Sequence, residues 1–383
     1  MATTTRSRRS GIRGGETASG WLFTAPVLIL LGLFLVVPVL MALWVSFSDW
    51  NGRGSPFSSE VSFVGVDNYS AIVAGGGLPQ QDFGTAIRNN AWYAILVVPL
   101  QTALSLFLAV LVNRQILKGR GFFRTAFYFP SVTSSVAIVV LWLFLFSSTG
   151  VVNKVLSFVG INGPNWFNEP SGLVHILLAV VGVETAPAFL AGNEFLGISW
   201  WEWLAGPSVA MTALILMAVF TTSGTFMLLF IAALQNLSGE ISEAAMVDGA
   251  NAWQRFWRIT LPQLRPTLFT VLTLGLIGCW QVFDQIYTGT QGAPAKTTLT
   301  PAFLSYQAAF INQRWGQGAA IAFILFVIIV VFTVFQRWIL RDRVVSKRRM
   351  RPYLVPQNAS SGVPSIAPAA DPGIKRDTKG RQP

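Results

Sequence analysis

Long apolar runs without a single charge dominate the chain. They fall at Trp21–Phe47, Ala91–Val112, Thr125–Thr149 and Pro207–Leu234, with a shorter run at Pro266–Phe283 and a sixth at Gly316–Phe335. A helix needs about 20 apolar residues to cross a bilayer core of roughly 30 Å. With no water in that core, only helices or closed barrels satisfy the backbone. Barrel strands would alternate apolar and polar residues, and these runs do not. The pattern predicts an all-α fold, a polytopic membrane bundle of six spans. The first run exceeds the 7–15 residues of a signal-peptide core and reads as a retained anchor.

One further stretch, Ser171–Val183, is apolar but too short to span, and extending it takes in His175, Glu184 and Pro187. Residues 147–206 therefore read as an external loop, with 172–190 lying at the interface or re-entering. Trp200, Trp201 and Trp203 fit an aromatic belt just before the fourth span.

Only 11% of the residues are charged, while 52% are hydrophobic, against about 25% charged for a soluble domain. The net charge of +11 does not require nucleic acid, because membrane proteins keep Lys and Arg in cytoplasmic segments. Basic residues cluster before the first span (Arg6, Arg8, Arg9, Arg13), after the second (Arg114, Lys118, Arg120, Arg124), in the link from Gln235 to Arg265, and after the last span. Six spans place every cluster inside, with both termini cytoplasmic. The lone Cys279 forms no internal disulfide. The lone His175 has no second ligand at metal spacing, so a structural role is its default.

Residues 1–17 and 352–383 are too poor in apolar side chains to order themselves. The expected organisation is a basic N-terminus (1–17), a first helix with its external loop (18–84), a core (85–341) and a basic, then disordered, cytoplasmic tail (342–383). The core contains the link 235–265 and an external insertion at 172–203.

The link is the most informative segment. It carries Glu243-Ala244-Ala245, then Asp248-Gly249, then Ile259, Leu261 and Pro262. Glu240 to Asp248 can form a short helix that Gly249 breaks by adopting backbone angles other residues avoid. Asn251 and Gln254 have the spacing of a capping box opening a second helix. There Trp253, Phe256, Trp257 and Thr260 share one face, and Pro262, lacking an amide donor, is expected to stop it. This pattern, with its residues at fixed spacing, resembles the coupling loop of binding-protein-dependent ABC importer permeases. The resemblance implies the permease fold of that family and a role for these residues in docking on an ATPase subunit. It also implies as partners a second permease, usually a different chain, two ATPase subunits and an extracytoplasmic binding protein in a bacterial membrane. No cofactor is implied. A phosphate-binding loop needs Gly-x4-Gly-Lys-Ser/Thr, and the chain has no Gly-Lys pair, so ATP is expected to be hydrolysed by a partner.

Other segments narrow the substrate class. Phe63-Val64-Gly65-Val66-Asp67-Asn68-Tyr69 and Val282-Phe283-Asp284-Gln285-Ile286-Tyr287 resemble signatures of carbohydrate permeases of the maltose and glycerol-phosphate type. Phe83 with Asn89 and Gly318-Ala319-Ala320 also match that pattern. Gly292-Ala293-Pro294 departs from it at one glycine, and 172–203 has no counterpart in it. The implied solute is a sugar, with glycerol phosphate as the alternative and an ion-driven secondary transporter as the outside rival. Spacing puts Gln281, Asp284 or Gln285, and Thr288 on one face of the fifth helix. Trp280 and Tyr287 could stack on sugar rings there, or these residues could cap the helix end. Thr221, Thr222, Ser223 and Thr225 line the path or pack helices, since hydroxyls do both in membranes.

Overall fold

The computed structural model describes residues 13–113, 118–183 and 185–339. The expectations for residues 1–12 and for 342–383 lie outside the described residues. Helix α1 (Arg13–Leu31) passes through a π-helical turn (Gly32–Val36) into α2 (Val37–Ser46). The helix therefore begins at Arg13, so residues 13–17 depart from the disordered terminus expected. The apolar window of this rod has none of its residues buried. A helix apolar all round is matched to lipid or a partner helix.

Among the described residues, four helices are long and apolar enough to cross a bilayer: Ser19–Ser46, Leu78–Asn113, Val209–Gln235 and Trp315–Ile339. After the short α3 (Asp67–Val73), α4 (Leu78–Asn113) is the longest, at 36 residues. The third apolar run is not the continuous span expected. It breaks into α5 (Arg120–Val132) and α6 (Ser135–Leu145), bent by 97°. Thr133 and Ser134 are extended there (ψ 147° and 130°), and the Ser131 hydroxyl donates to the Thr221 carbonyl at 2.5 Å. This bond ties the end of α5 to α11 beside the break.

Residues 147–206 form a cap with no spanning helix among its described residues. It comprises α7 (Val151–Phe158), α8 (Leu173–Val180), α9 (Ala188–Ala191), a hairpin of β1 (Glu194–Phe195) and β2 (Ile198–Ser199), and α10 (Trp200–Trp203). Gly172 bridges Ser208, and the Ser208 hydroxyl caps the next span by accepting from the Met211 N–H. His175 stacks on Trp201 with ring centroids 4.3 Å apart and bonds its carbonyl at 3.1 Å.

Helix α11 (Val209–Gln235) packs on α4, and the two carry about half of the buried side chains among the described residues. Tyr93, Ala94 and Val97 of α4 meet Leu214 and Met217 in one cluster, while Leu108 and Val112 meet Met227 and Phe230 in another. Phe230 is fully buried, and truncating such an aromatic to Ala costs about 3–5 kcal/mol. Helix α5 crosses α11 at Gly224, where a Cβ would stand 2.3 Å from the Phe127 carbonyl oxygen. Small residues permit such close crossings in membranes, where packing rather than water drives association.

Beyond α11 come α12 (Gly239–Val247), α13 (Ala252–Arg255), a π-helical turn (Phe256–Thr260), α14 (Leu261–Gln263) and α15 (Arg265–Trp280). At sixteen residues, α15 is about 24 Å long, and the helical turns before it extend the rod. A loop then leads through α16 (Pro301–Tyr306) to α17 (Trp315–Ile339), which packs against α2 and α16.

The Phe63–Tyr69 segment closes the C-terminal end of α2. The Asn68 amide donates to the carbonyls of Ser46 and Ser48 at 3.0 and 2.9 Å, and the Tyr69 hydroxyl pairs with the Ser46 hydroxyl at 2.8 Å. These bonds occupy carbonyls that every helix C-terminus leaves open. Asn89 does similar work farther off, donating to the carbonyls of Lys296 and Leu299 at 2.8 and 3.0 Å.

Candidate functional site

The link folds as a helix–turn–helix. Gly249 sits at φ +80°, its N–H donates to the Met246 carbonyl, and that of Ala250 donates to Ala245. This is a Schellman closure, which needs a left-handed residue after the helix. Asn251 and Gln254 form both bonds of a capping box. The Arg255 guanidinium reaches the Ser242 hydroxyl at 3.4 Å, tying the two helices. Glu243, Ala244 and Asp248 are exposed, and Ala245 and Ile259 are half-buried.

Pro262 does not stop the helix. The Leu261 N–H donates back to the Phe256 carbonyl, five residues away, so the chain widens into a π turn before the proline. Pro262 then stands in the first turn of α14, where a missing donor costs nothing. Ile259 and Leu261 lie within this rod, which links the helix–turn–helix to α15. Sequence spacing missed the exposed apolar side chains beside Glu243. Ile241 and Met246 are each 49% exposed and Val247 is 89% exposed. Apolar surface of this kind on a polar loop suits contact with another protein or with the membrane surface.

The second site is a cavity of about 280 Å³ where α5 breaks from α6. Ser131, Thr133 and Ser135 line it from the break, Thr221, Thr222 and Thr225 line it from α11, and Gln285 closes one side. No charged side chain is among its described lining residues. Ser223, grouped with the threonines in the sequence reading, is buried and bonds the Phe220 carbonyl instead. Ser131, Thr133 and Ser135 escaped that reading because the run looked continuous. The signal available was Pro130 followed by a cluster of hydroxyl residues.

The single polar face expected on the fifth helix is not there. Helix α15 ends at Trp280, with Gln281 as its C-cap. The chain turns at 281–283, and Ile286–Thr290 forms a separate π-helical turn. The buried Thr300 hydroxyl holds this break open by donating to the Val282 carbonyl at 3.1 Å. Trp280 is buried and stacks on Phe332 of α17 at 5.3 Å, facing the last span. Gln281 is exposed. Tyr287 joins an aromatic cluster with Phe283 and Tyr306. Asp284 borders the cavity, its Oδ2 accepting from the Ser135 hydroxyl at 3.4 Å.

A membrane helix bundle with an exposed helix–turn–helix and a polar cavity between broken helices suits a transport permease, and sequence comparison gives the family. The sequence model described as "Binding-protein-dependent transport system inner membrane component" matches residues 89–344, and the chain belongs to that family. It is an inner-membrane permease component of an ABC importer. The chain is 30% identical over 347 residues to the lactose transport system permease protein LacF of Rhizobium radiobacter, covering 90% of this chain and all of that one. It is 29% identical over 335 residues to the arabinooligosaccharides transport system permease protein AraP of Bacillus subtilis (strain 168), covering 86% and 91%. Among solved structures, a bacterial ABC transporter involved in import of the acidic polysaccharide alginate shares the fold, with a TM-score of 0.65 at 23% identity, covering 86% of this chain and 98% of that one.

Proposed function

We propose that this permease moves a neutral sugar, delivered by an external binding protein, and that the cavity at the α5–α6 break is its share of the path. The cavity carries the proposal. Its polar side chains are hydroxyls and one amide, and no cation lines it. Hydroxyls and amides exchange hydrogen bonds with a sugar, whereas a phosphate calls for Arg, Lys or a helix N-terminus. Glycerol phosphate is thereby disfavoured. Relatives named for lactose and arabinooligosaccharides support the same reading. The volume falls just under the roughly 300–1,000 Å³ of small-molecule sites, consistent with a second permease supplying the facing wall.

In this reading a separate pair of ATPase subunits hydrolyses ATP, and α12 to α14 dock on one of them. Glu243 offers a carboxylate, Ala244 and Ala245 allow close approach, and Ile241, Met246 and Val247 supply apolar contact. Both termini and the coupling element face the cytoplasm, where the basic clusters belong.

The complete complex, reconstituted in proteoliposomes with its binding protein, is tested with lactose, maltose, an arabinooligosaccharide and glycerol 3-phosphate. One of the sugars should accumulate only when ATP and the binding protein are both present. Preferential uptake of glycerol 3-phosphate, or uptake driven by an ion gradient without ATP, would overturn the reading.

A further inference from the structure

Gln101 lies on α4 at 1% exposure, inside the second apolar run. Its Oε1 accepts from the Thr222 hydroxyl at 2.6 Å, and Thr222 lines the cavity. Its other end is unusual. Nε2 is buried with no partner among the described residues and rests against α15 at Gly275, where a Cβ would stand 2.2 Å from it. Leu or Met would fill this space without desolvating an amide. A buried donor left unmet is unfavourable, so bulk does not account for glutamine here. The acceptor end does.

The neighbouring threonine shows what that end changes. A helical threonine has two side-chain wells, because its hydroxyl can bond the carbonyl three or four residues back. The Thr221 hydroxyl has no partner beyond its own helix among the described residues and lies within reach of both such carbonyls, Met217 at 3.0 Å and Ala218 at 3.1 Å. Thr222 has the Ala218 carbonyl at 2.7 Å and, in addition, Gln101. The bond to Gln101 selects one well. Both groups within reach of its single hydrogen are acceptors, so the hydroxyl hydrogen stays within the protein and the oxygen offers lone pairs. Thr222 is thereby presented as a fixed acceptor, suited to a ligand O–H.

We infer that Gln101 is a positioning residue for the solute path, acting through the Thr222 hydroxyl. This inference rests on the cavity being that path. Gly275 is its counterpart on α15, since a side chain there would displace the amide.

The test uses the complete complex in proteoliposomes and whichever of lactose, maltose or the arabinooligosaccharide it accumulates fastest. The readout is sugar transported per ATP hydrolysed, a ratio independent of how much complex assembles. Thr222→Val and Gln101→Met should each lower it roughly fivefold, the scale of one net hydrogen bond. The double variant should fall no further than Thr222→Val alone, because both changes remove one interaction. Gln101→Glu, protonated in so apolar a site and still an acceptor, should stay within about twofold of the parent. An unchanged ratio in Gln101→Met with a lowered ratio in Thr222→Val overturns this inference alone, as does a double variant whose losses multiply. An unchanged ratio in Thr222→Val overturns the cavity reading and this inference together.

Discussion

The proposed coupling element and the cavity are both built from interrupted helices, but the interruptions have different origins. At the coupling element every partner is near in sequence. Gly249 turns the chain, Ala250 bonds back to Ala245, and Asn251 and Gln254 cap each other. At the cavity the partners are remote. Ser131 bonds the carbonyl of Thr221, and Thr300 bonds that of Val282. The first break is written in local backbone chemistry and forms wherever the segment goes. The second exists only after α5, α11 and the loop before α16 have packed. A docking surface benefits from such independence, since it must keep its shape while the bundle moves. A gate benefits from the opposite, because a break held by contacts between helices responds when those helices shift.

The largest effect expected from this contrast is at Gly249. Proline fixes φ near −65°, whereas the position sits at +80°, and the substitution also removes the bond to Met246. A local cost of about 3 kcal/mol or more is a factor above a hundred. Gly249→Pro should therefore abolish sugar-stimulated ATP hydrolysis while the chain still inserts and packs its core, because the closure is local. Loss of the chain from the membrane would show instead that the coupling element folds with the bundle, and the contrast would fail.

Next in size is Thr300→Val. It keeps the shape but leaves the Val282 carbonyl without its donor, at about 1–3 kcal/mol for a buried acceptor. The complex should melt several degrees lower and transport roughly tenfold less, a factor equal to about 1.4 kcal/mol. A variant with parental melting and uptake would mean that the break after α15 is set locally, by Gln281 to Phe283, and not by the remote hydroxyl.

The same contrast explains what could be read from the sequence. Spans showed as apolar length, and the coupling element showed as glycine, cap and spacing, since each depends on neighbours in the chain. Asn68 and Asn89 were legible as members of signatures, though not as donors to helix-end and loop carbonyls. Most of the misreadings lie where a distant partner decides. Periodicity carried the fifth helix through Gln281 and Asp284, and Thr300 ends that continuity. Apolar length carried the third span through Thr133, and contacts with α11 bend it. Pro262 was expected to end a helix because proline lacks a donor, and a π turn absorbs that defect. Gln101 had no local signal at all. One amide in an apolar run looks like tolerated packing until Thr222 and Gly275 are seen beside it.

The smallest effect, and the finest test of where the cavity ends, is at Asp284. Its carboxylate reaches the cavity only through the Ser135 hydroxyl, at a long 3.4 Å, and the residue is exposed. A charged hydrogen bond at ordinary distance is worth about 1.5–3 kcal/mol, but length and solvent both weaken it. Asn keeps the size and an acceptor oxygen, so Ser135 retains a partner. Asp284→Asn should lower sugar transported per ATP by less than about twofold, below the scale of one net hydrogen bond. Ser135→Ala, which removes a cavity-lining hydroxyl outright, should cost roughly fivefold on the same scale. The order of the two variants is decisive. If Asp284→Asn costs more than Ser135→Ala, the carboxylate itself meets the solute, and the path runs along the Asp284 turn rather than ending at the α5–α6 break. That result would also undo the contrast drawn above, because the polar contact would then come from a residue in a signature legible in the sequence and not from the hydroxyls that distant packing brings together.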